Sequence, residues 1–77
     1  MTKHACPCCG RRTLTGKGDY EICPVCFWED DPVQRRDPDY AGGANTLSLN
    51  DSRANYERFG AVEERFVGGV RPPKAGE

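Results

Sequence analysis

Two Cys-Pro-x-Cys units, Cys6-Pro7-Cys8-Cys9 and Cys23-Pro24-Val25-Cys26, set the narrowest limit on what this chain can fold into. With 77 residues it makes a single domain. A core of that size barely offsets an ordering cost of roughly 1.5 kcal/mol per residue. Chains this short add disulfides, a metal or a second copy. Five cysteines are an odd set, and Met1-Thr2-Lys3-His4-Ala5-Cys6 lacks the apolar core of a secretory signal. Both features point to a reducing, cytoplasmic setting in which disulfides are disfavoured. A metal is therefore the expected staple.

The spacing suits one. Each Cys-x-x-Cys turns tightly enough for both sulfurs to face a single ion. Proline after the first cysteine presets φ for the turn, and Gly10 suits the bend that follows the first pair. Two such pairs supply the four soft ligands of a closed tetrahedral zinc site. Cys6, Cys9, Cys23 and Cys26 are thus the expected ligands of one Zn2+ per chain. Iron in a rubredoxin-like site uses the same ligands and stays open as an alternative. A redox dithiol is a further alternative, but it leaves the second unit without a role, and no βαβ pattern surrounds either one. Cys8 is left over and is expected as a surface thiol. It has two other possible uses, as a substitute ligand or as a reactive thiol activated by the metal with Arg11 and Arg12. His4 is close enough in sequence to replace a thiolate, and is expected to be solvated instead.

The formal net charge is −1, but the charges are unevenly spread. Lys3, Arg11, Arg12 and Lys17 outnumber Asp19 and Glu21 before Phe27, whereas Glu29, Asp30, Asp31, Asp37 and Asp39 outnumber Arg35 and Arg36 up to Tyr40. Four thiolates on Zn2+ leave a negative site, so the basic segment reads as local compensation. Nucleic-acid binders of this size carry a clear basic excess, which is missing here. A nucleic-acid face would need Arg11, Arg12, Lys17, Arg35 and Arg36 on one side, with Tyr20 or Trp28 exposed for stacking. No window approaches the ~18 apolar residues of a membrane span. Glu29-Asp30-Asp31 lacks the spacing of a calcium loop and is expected as a solvated acidic turn ended by Pro32.

The expected fold is a small α+β metal-bound domain over residues 1–70, with zinc-ribbon or rubredoxin-like knuckles and a β-hairpin in 1–31. Arg12 to Thr15 and Asp19 to Ile22 alternate around Gly16-Lys17-Gly18 and read as the two arms of that hairpin. Phe27 and Trp28 are expected to pack over the metal site. Residues 32–46, rich in Pro, Asp, Gly and Arg, read as an irregular loop. One or two short helices follow in 47–67. Ser48-Leu49-Asn50-Asp51 resembles a capping box with Asp in place of Glu. The helix it opens is expected to run to Phe59 and stop at Gly60, with Leu49, Tyr56 and Phe59 inward and Arg53 in the gap between the first two. A shorter helix is expected from Ala61 to Val67, and a frayed tail over 71–77.

The stretches CPCCG (6–10), YEICPVCFWEDDP (20–32), GGANTLSLNDSRANYERFGA (42–61) and RPP (71–73) resemble the CPCC family of small cysteine-rich bacterial proteins. The resemblance implies a bacterial cytosolic domain that binds zinc through its two cysteine units, and it implies no activity. A looser similarity to zinc ribbons and rubredoxin-like knuckles meets one departure. Those often carry glycine after the second Cys-x-x-Cys, where this chain has Phe27.

For function, a closed four-thiolate site has no open position for water, which disfavours metal hydrolysis. There is one histidine, no glycine-rich phosphate loop and no Ser-His-Asp set. The expected role is a non-enzymatic structural zinc-binding module that mediates protein–protein interaction, through the 32–45 loop or the outer face of the helix. The alternatives are an iron- or thiol-based redox and electron-transfer protein, and a nucleic-acid-binding zinc ribbon. The residues name no small-molecule substrate.

Overall fold

The computed structural model describes residues 3–77. Its first half is one turn built twice. In the first knuckle the Gly10 N–H donates to the Cys6 carbonyl (2.8 Å) and the Cys6 N–H to that of Arg11 (2.8 Å). In the second, the Phe27 N–H donates to Cys23 (2.8 Å) and the Cys23 N–H to Trp28 (2.8 Å). Each turn reverses the chain, so the flanking residues meet antiparallel. β1 (His4–Ala5) pairs with β2 (Arg12–Leu14) around the first knuckle, and Ile22 bridges Glu29 around the second.

The α+β class and the two-stranded hairpin are as expected, but the strand partners differ. β2 pairs with residues that precede the first knuckle, not with 19–22. The knuckle turn fixes this register locally. The segment around Gly16-Lys17-Gly18 is shaped instead by carboxylates. Glu21 accepts the N–H groups of Thr15 (3.0 Å) and Gly16 (3.0 Å), and Asp30 accepts that of Gly18 (2.7 Å).

The acidic run is not solvated. Asp30 is 0% and Asp31 4% exposed. Burial is tolerated because each carboxylate is fully engaged. Asp30 takes two bonds from the Arg35 guanidinium (2.9 and 3.0 Å) besides the one from Gly18. Asp31 caps a helical turn, α1 (Pro32–Arg36), where an irregular loop was expected. Its Oδ1 accepts from Val33 N–H (2.8 Å) and Gln34 N–H (3.3 Å), while Pro32 at the first helical position needs no partner. Its Oδ2 accepts the Ala44 N–H (2.9 Å) and so ties the loop back to the helix.

Gln34 is fully buried at the centre of that loop. Its amide nitrogen reaches the carbonyls of Tyr40 (3.0 Å), Asn45 (3.1 Å) and Leu47 (3.0 Å). Its oxygen accepts from the Asn45 N–H (3.1 Å) and side-chain amide (2.9 Å). Asn45 then accepts from the Glu29 N–H (2.9 Å) and donates to its carbonyl (2.8 Å), joining the loop to the second knuckle.

α2 (Leu49–Phe59) starts and stops where the capping residues place it. Ser48 Oγ accepts the Asp51 N–H (3.1 Å), and Gly60 ends the helix at φ 81°. Leu49 is buried and Tyr56 packs against the core. Ser52, three residues after Leu49, fills the buried stripe between them. Arg53 points outward, and its Nε donates to the Pro7 carbonyl of the first knuckle (2.9 Å).

The last helix is a 3₁₀ segment (Glu64–Gly69) that begins later than expected. Ala61 and Val62 form a buried link before it. Residues 71–77 fold back instead of fraying. Arg71 N–H donates to Pro24 (3.1 Å), Arg12 N–H to Glu77 (2.9 Å), and the Arg71 guanidinium pairs with the Glu77 carboxylate (2.9 Å). Leu14, Val25, Trp28, Leu49 and Val62 form the apolar core around the cysteines. Among the described residues, no helix is long and apolar enough to cross a membrane.

Two outcomes test the polar half of the fold. A Cβ at Gly43 would stand 2.5 Å from Asp31 Oδ2 and 3.1 Å from Gln34 Oε1, whereas one at Gly68 would meet nothing within 4 Å. Gly43→Ala is expected to destabilise by about 1–3 kcal/mol in urea unfolding. Gly68→Ala should be neutral or stabilising by up to ~1 kcal/mol.

The second outcome concerns Asp31. Burial pushes its carboxyl up, but the N–H groups of Ala44, Val33 and Gln34 outweigh it and hold the group below its usual range. A depressed carboxylate stabilises the fold above its unfolded pKa of ~3.9 and loses that contribution as pH falls further. The stability gap between wild type and Asp31→Asn, measured by thermal melting, should therefore narrow below pH ~4.

Candidate metal centre

The two knuckles face each other, and the Sγ atoms of Cys6, Cys9, Cys23 and Cys26 all lie within 4.8 Å of one another. Two of the separations that cross between the knuckles are 3.6 Å, from Cys6 to Cys26, and 3.7 Å, from Cys9 to Cys23. Every cysteine is free. Zinc bound at ~2.3 Å to four sulfurs has sulfur–sulfur edges of about 3.8 Å. The donor set and its spacing therefore fit one tetrahedral ion. Cys6, Cys23 and Cys26 are buried and Cys9 is half-buried, so the cluster is largely shielded from solvent.

Two residues considered as substitutes are placed differently. His4 is half-buried on β1 and does not join the cluster. Cys8 also stays outside the four, but it is not the surface thiol expected. It is 9% exposed and packs in the core. The first knuckle carries it inward, where it behaves as a small apolar side chain.

Thiols this close do not ionise independently. Contact with Cys23 pushes Cys26 and Cys6 well above the usual thiol range, and contact with Cys26 holds Cys23 far below it. At Cys9 the Cys23 contact raises the pKa, but those with Cys26 and Cys6 lower it more. A cluster of four thiolates is therefore self-repelling unless a cation shares the site. Other groups already face the sulfurs. Thr13 Oγ1 lies 3.0 Å from Cys23 Sγ, and the Trp28 N–H donates to Cys26 Sγ (3.4 Å). Burial, and next the Cys9 sulfur, push the Tyr56 hydroxyl above its usual range, as suits a ring packed against the core.

Phe27 holds the glycine position of its knuckle. Gly10 adopts φ 79° in the first knuckle and Phe27 φ 74° in the second. Left-handed backbone costs a side-chain-bearing residue roughly 1–2 kcal/mol. The ring compensates by stacking on Phe66, with centroids 4.5 Å apart, and the Arg65 guanidinium lies over the Phe66 ring at 4.4 Å. Val62 N–H reaches the Cys26 carbonyl beside it (2.9 Å). The segment after α2 is thus anchored on the second knuckle.

Thr13 was not a candidate from sequence, because strict alternation turns it away from Leu14. The β2 register is irregular, and both residues are buried. No local signal marks it.

A substitution series at Phe27 tests the balance of strain and stacking. Phe27→Gly removes the strain and the ring, whereas Phe27→Ala removes only the ring. Stability by chemical denaturation should fall in the order wild type, Gly, Ala, with about 1 kcal/mol between the variants.

A family model described as Cysteine-rich CPCC matches residues 4–77, and the chain belongs to that family. No curated protein matches the chain.

Proposed function

Starting from that membership, we propose that the chain is a non-enzymatic zinc module of the cytosol, in which Cys6, Cys9, Cys23 and Cys26 hold one Zn2+ and so fix a surface for another protein. The observation that carries this reading is the convergence of four sulfurs at tetrahedral spacing. Four thiolates leave no open coordination position, so the ion's contribution is structural. The contact surface is the 37–46 loop, held rigid from within by Gln34 and Asn45 and carrying the exposed Tyr40 ring (44%). A preorganised loop avoids the ordering cost of binding. A nucleic-acid ribbon is less well supported. Arg35 is engaged with Asp30 and so withdrawn from such a face, and of its two stacking candidates Trp28 is buried while Tyr20 is exposed.

Structural zinc contributes an apparent ~10–16 kcal/mol in small fingers, as much as the ~5–15 kcal/mol stability of a whole domain. Cys23→Ser is therefore expected to lose bound zinc. It should also expose the amides of Val62 and Arg71, which are anchored on Cys26 and Pro24, to rapid hydrogen exchange. Cys8→Ala should keep one zinc per chain. Zinc retained by Cys23→Ser but lost from Cys8→Ala would overturn the ligand set. A partner captured by the loaded chain should be released by a chelator.

A further inference from the structure

We infer that Thr13 is a positioning residue of the metal centre, whose hydroxyl donates to the Cys23 sulfur and draws charge from that one thiolate. The inference rests on the reading of the four cysteines as metal ligands. Thr13 Oγ1 is 3.0 Å from Cys23 Sγ. The two residues are 6% and 0% exposed, so water does not compete for the contact. Among the described residues the hydroxyl has no other hydrogen-bond partner. A metal-bound thiolate carries no proton, so the hydroxyl must be the donor, and a bond to an ionised acceptor is of the stronger kind.

The contact is also one-sided. Thr13 stands on β2 beside the first knuckle, while Cys23 opens the second. The repeat that matches Cys6 with Cys23 matches Thr13 with Asp30, and Asp30 turns away to Gly18 and Arg35. Among the described residues Cys6 therefore receives no equivalent hydroxyl. The bond draws charge from Cys23, more closely than the Trp28 N–H does from Cys26 (3.0 against 3.4 Å), and locks its orientation across the gap between the knuckles. Cys9 is the one half-buried sulfur of the four. Partners that orient metal ligands in this way are typically worth 10–100-fold in metal affinity.

The test uses the full chain loaded with Co2+, whose thiolate-to-metal charge-transfer bands report sulfur electron density. Thr13→Val keeps the shape and removes the donor; Thr13→Ser keeps the donor and removes the methyl. Thr13→Ala repeats the comparison in case valine disturbs packing. Val and Ala are expected to shift the charge-transfer bands to lower energy and to weaken Zn2+ binding about tenfold in competition with a chromophoric chelator. Ser should restore both. Bands and affinity that are the same in wild type, Val and Ala would overturn the role of Thr13 and leave the metal centre standing. So would a Ser variant that behaves like Val. A wild-type chain that takes up no cobalt would overturn the metal reading and this inference together.

Discussion

The structure depends on bringing four sulfurs within 4.8 Å of one another in a chain too short to hold them there by apolar burial alone. Two identical turns make the approach possible. Each fixes its own short antiparallel pairing, and each directs its carbonyls outward for the rest of the chain to use. Pro7, Pro24 and Cys26 accept from Arg53, Arg71 and Val62 respectively, so α2 and the segment after it are fastened to the knuckles by main-chain groups. An ion that holds the knuckles together therefore holds the helical half as well. That is the physical sense in which a small centre can organise a whole domain.

The second organiser is polar. Asp30, Asp31, Gln34 and Asn45 are all buried, and together they serve as a core for the loop that joins the second knuckle to α2. Each donor and acceptor finds a partner, which is the condition for polar burial to rigidify a fold instead of weakening it. Gly43 belongs to the same unit, because the space a side chain would need is occupied by Asp31 and Gln34. The loop is long but not loose, and its outer surface is presented in a fixed shape.

The parts of this architecture with local causes were legible in the residues. The Cys-Pro-x-Cys spacing announced the two turns, Ser48 and Gly60 marked the ends of α2, and Trp28 was placed in the core. Features that depend on a distant partner were not. Nothing near Arg12 says that it pairs with Ala5 instead of a later residue. Glu29-Asp30-Asp31 reads as solvated until Arg35, Ala44 and Asn45 are seen to satisfy it. Cys8 reads as a surface thiol because its direction is set by the turn and not by its neighbours in sequence. Phe27 departs from the glycine common in such knuckles, yet it takes the glycine conformation, held by a ring 39 positions further on, Phe66.

The most direct test of the central claim is the metal content of the intact chain, purified without chelators or affinity metals, with its thiols counted after denaturation. One zinc per chain and five reduced cysteines is the result this account predicts. A metal-free chain with its cysteines paired as disulfides would contradict it, and iron in place of zinc would move the centre from structure to electron transfer.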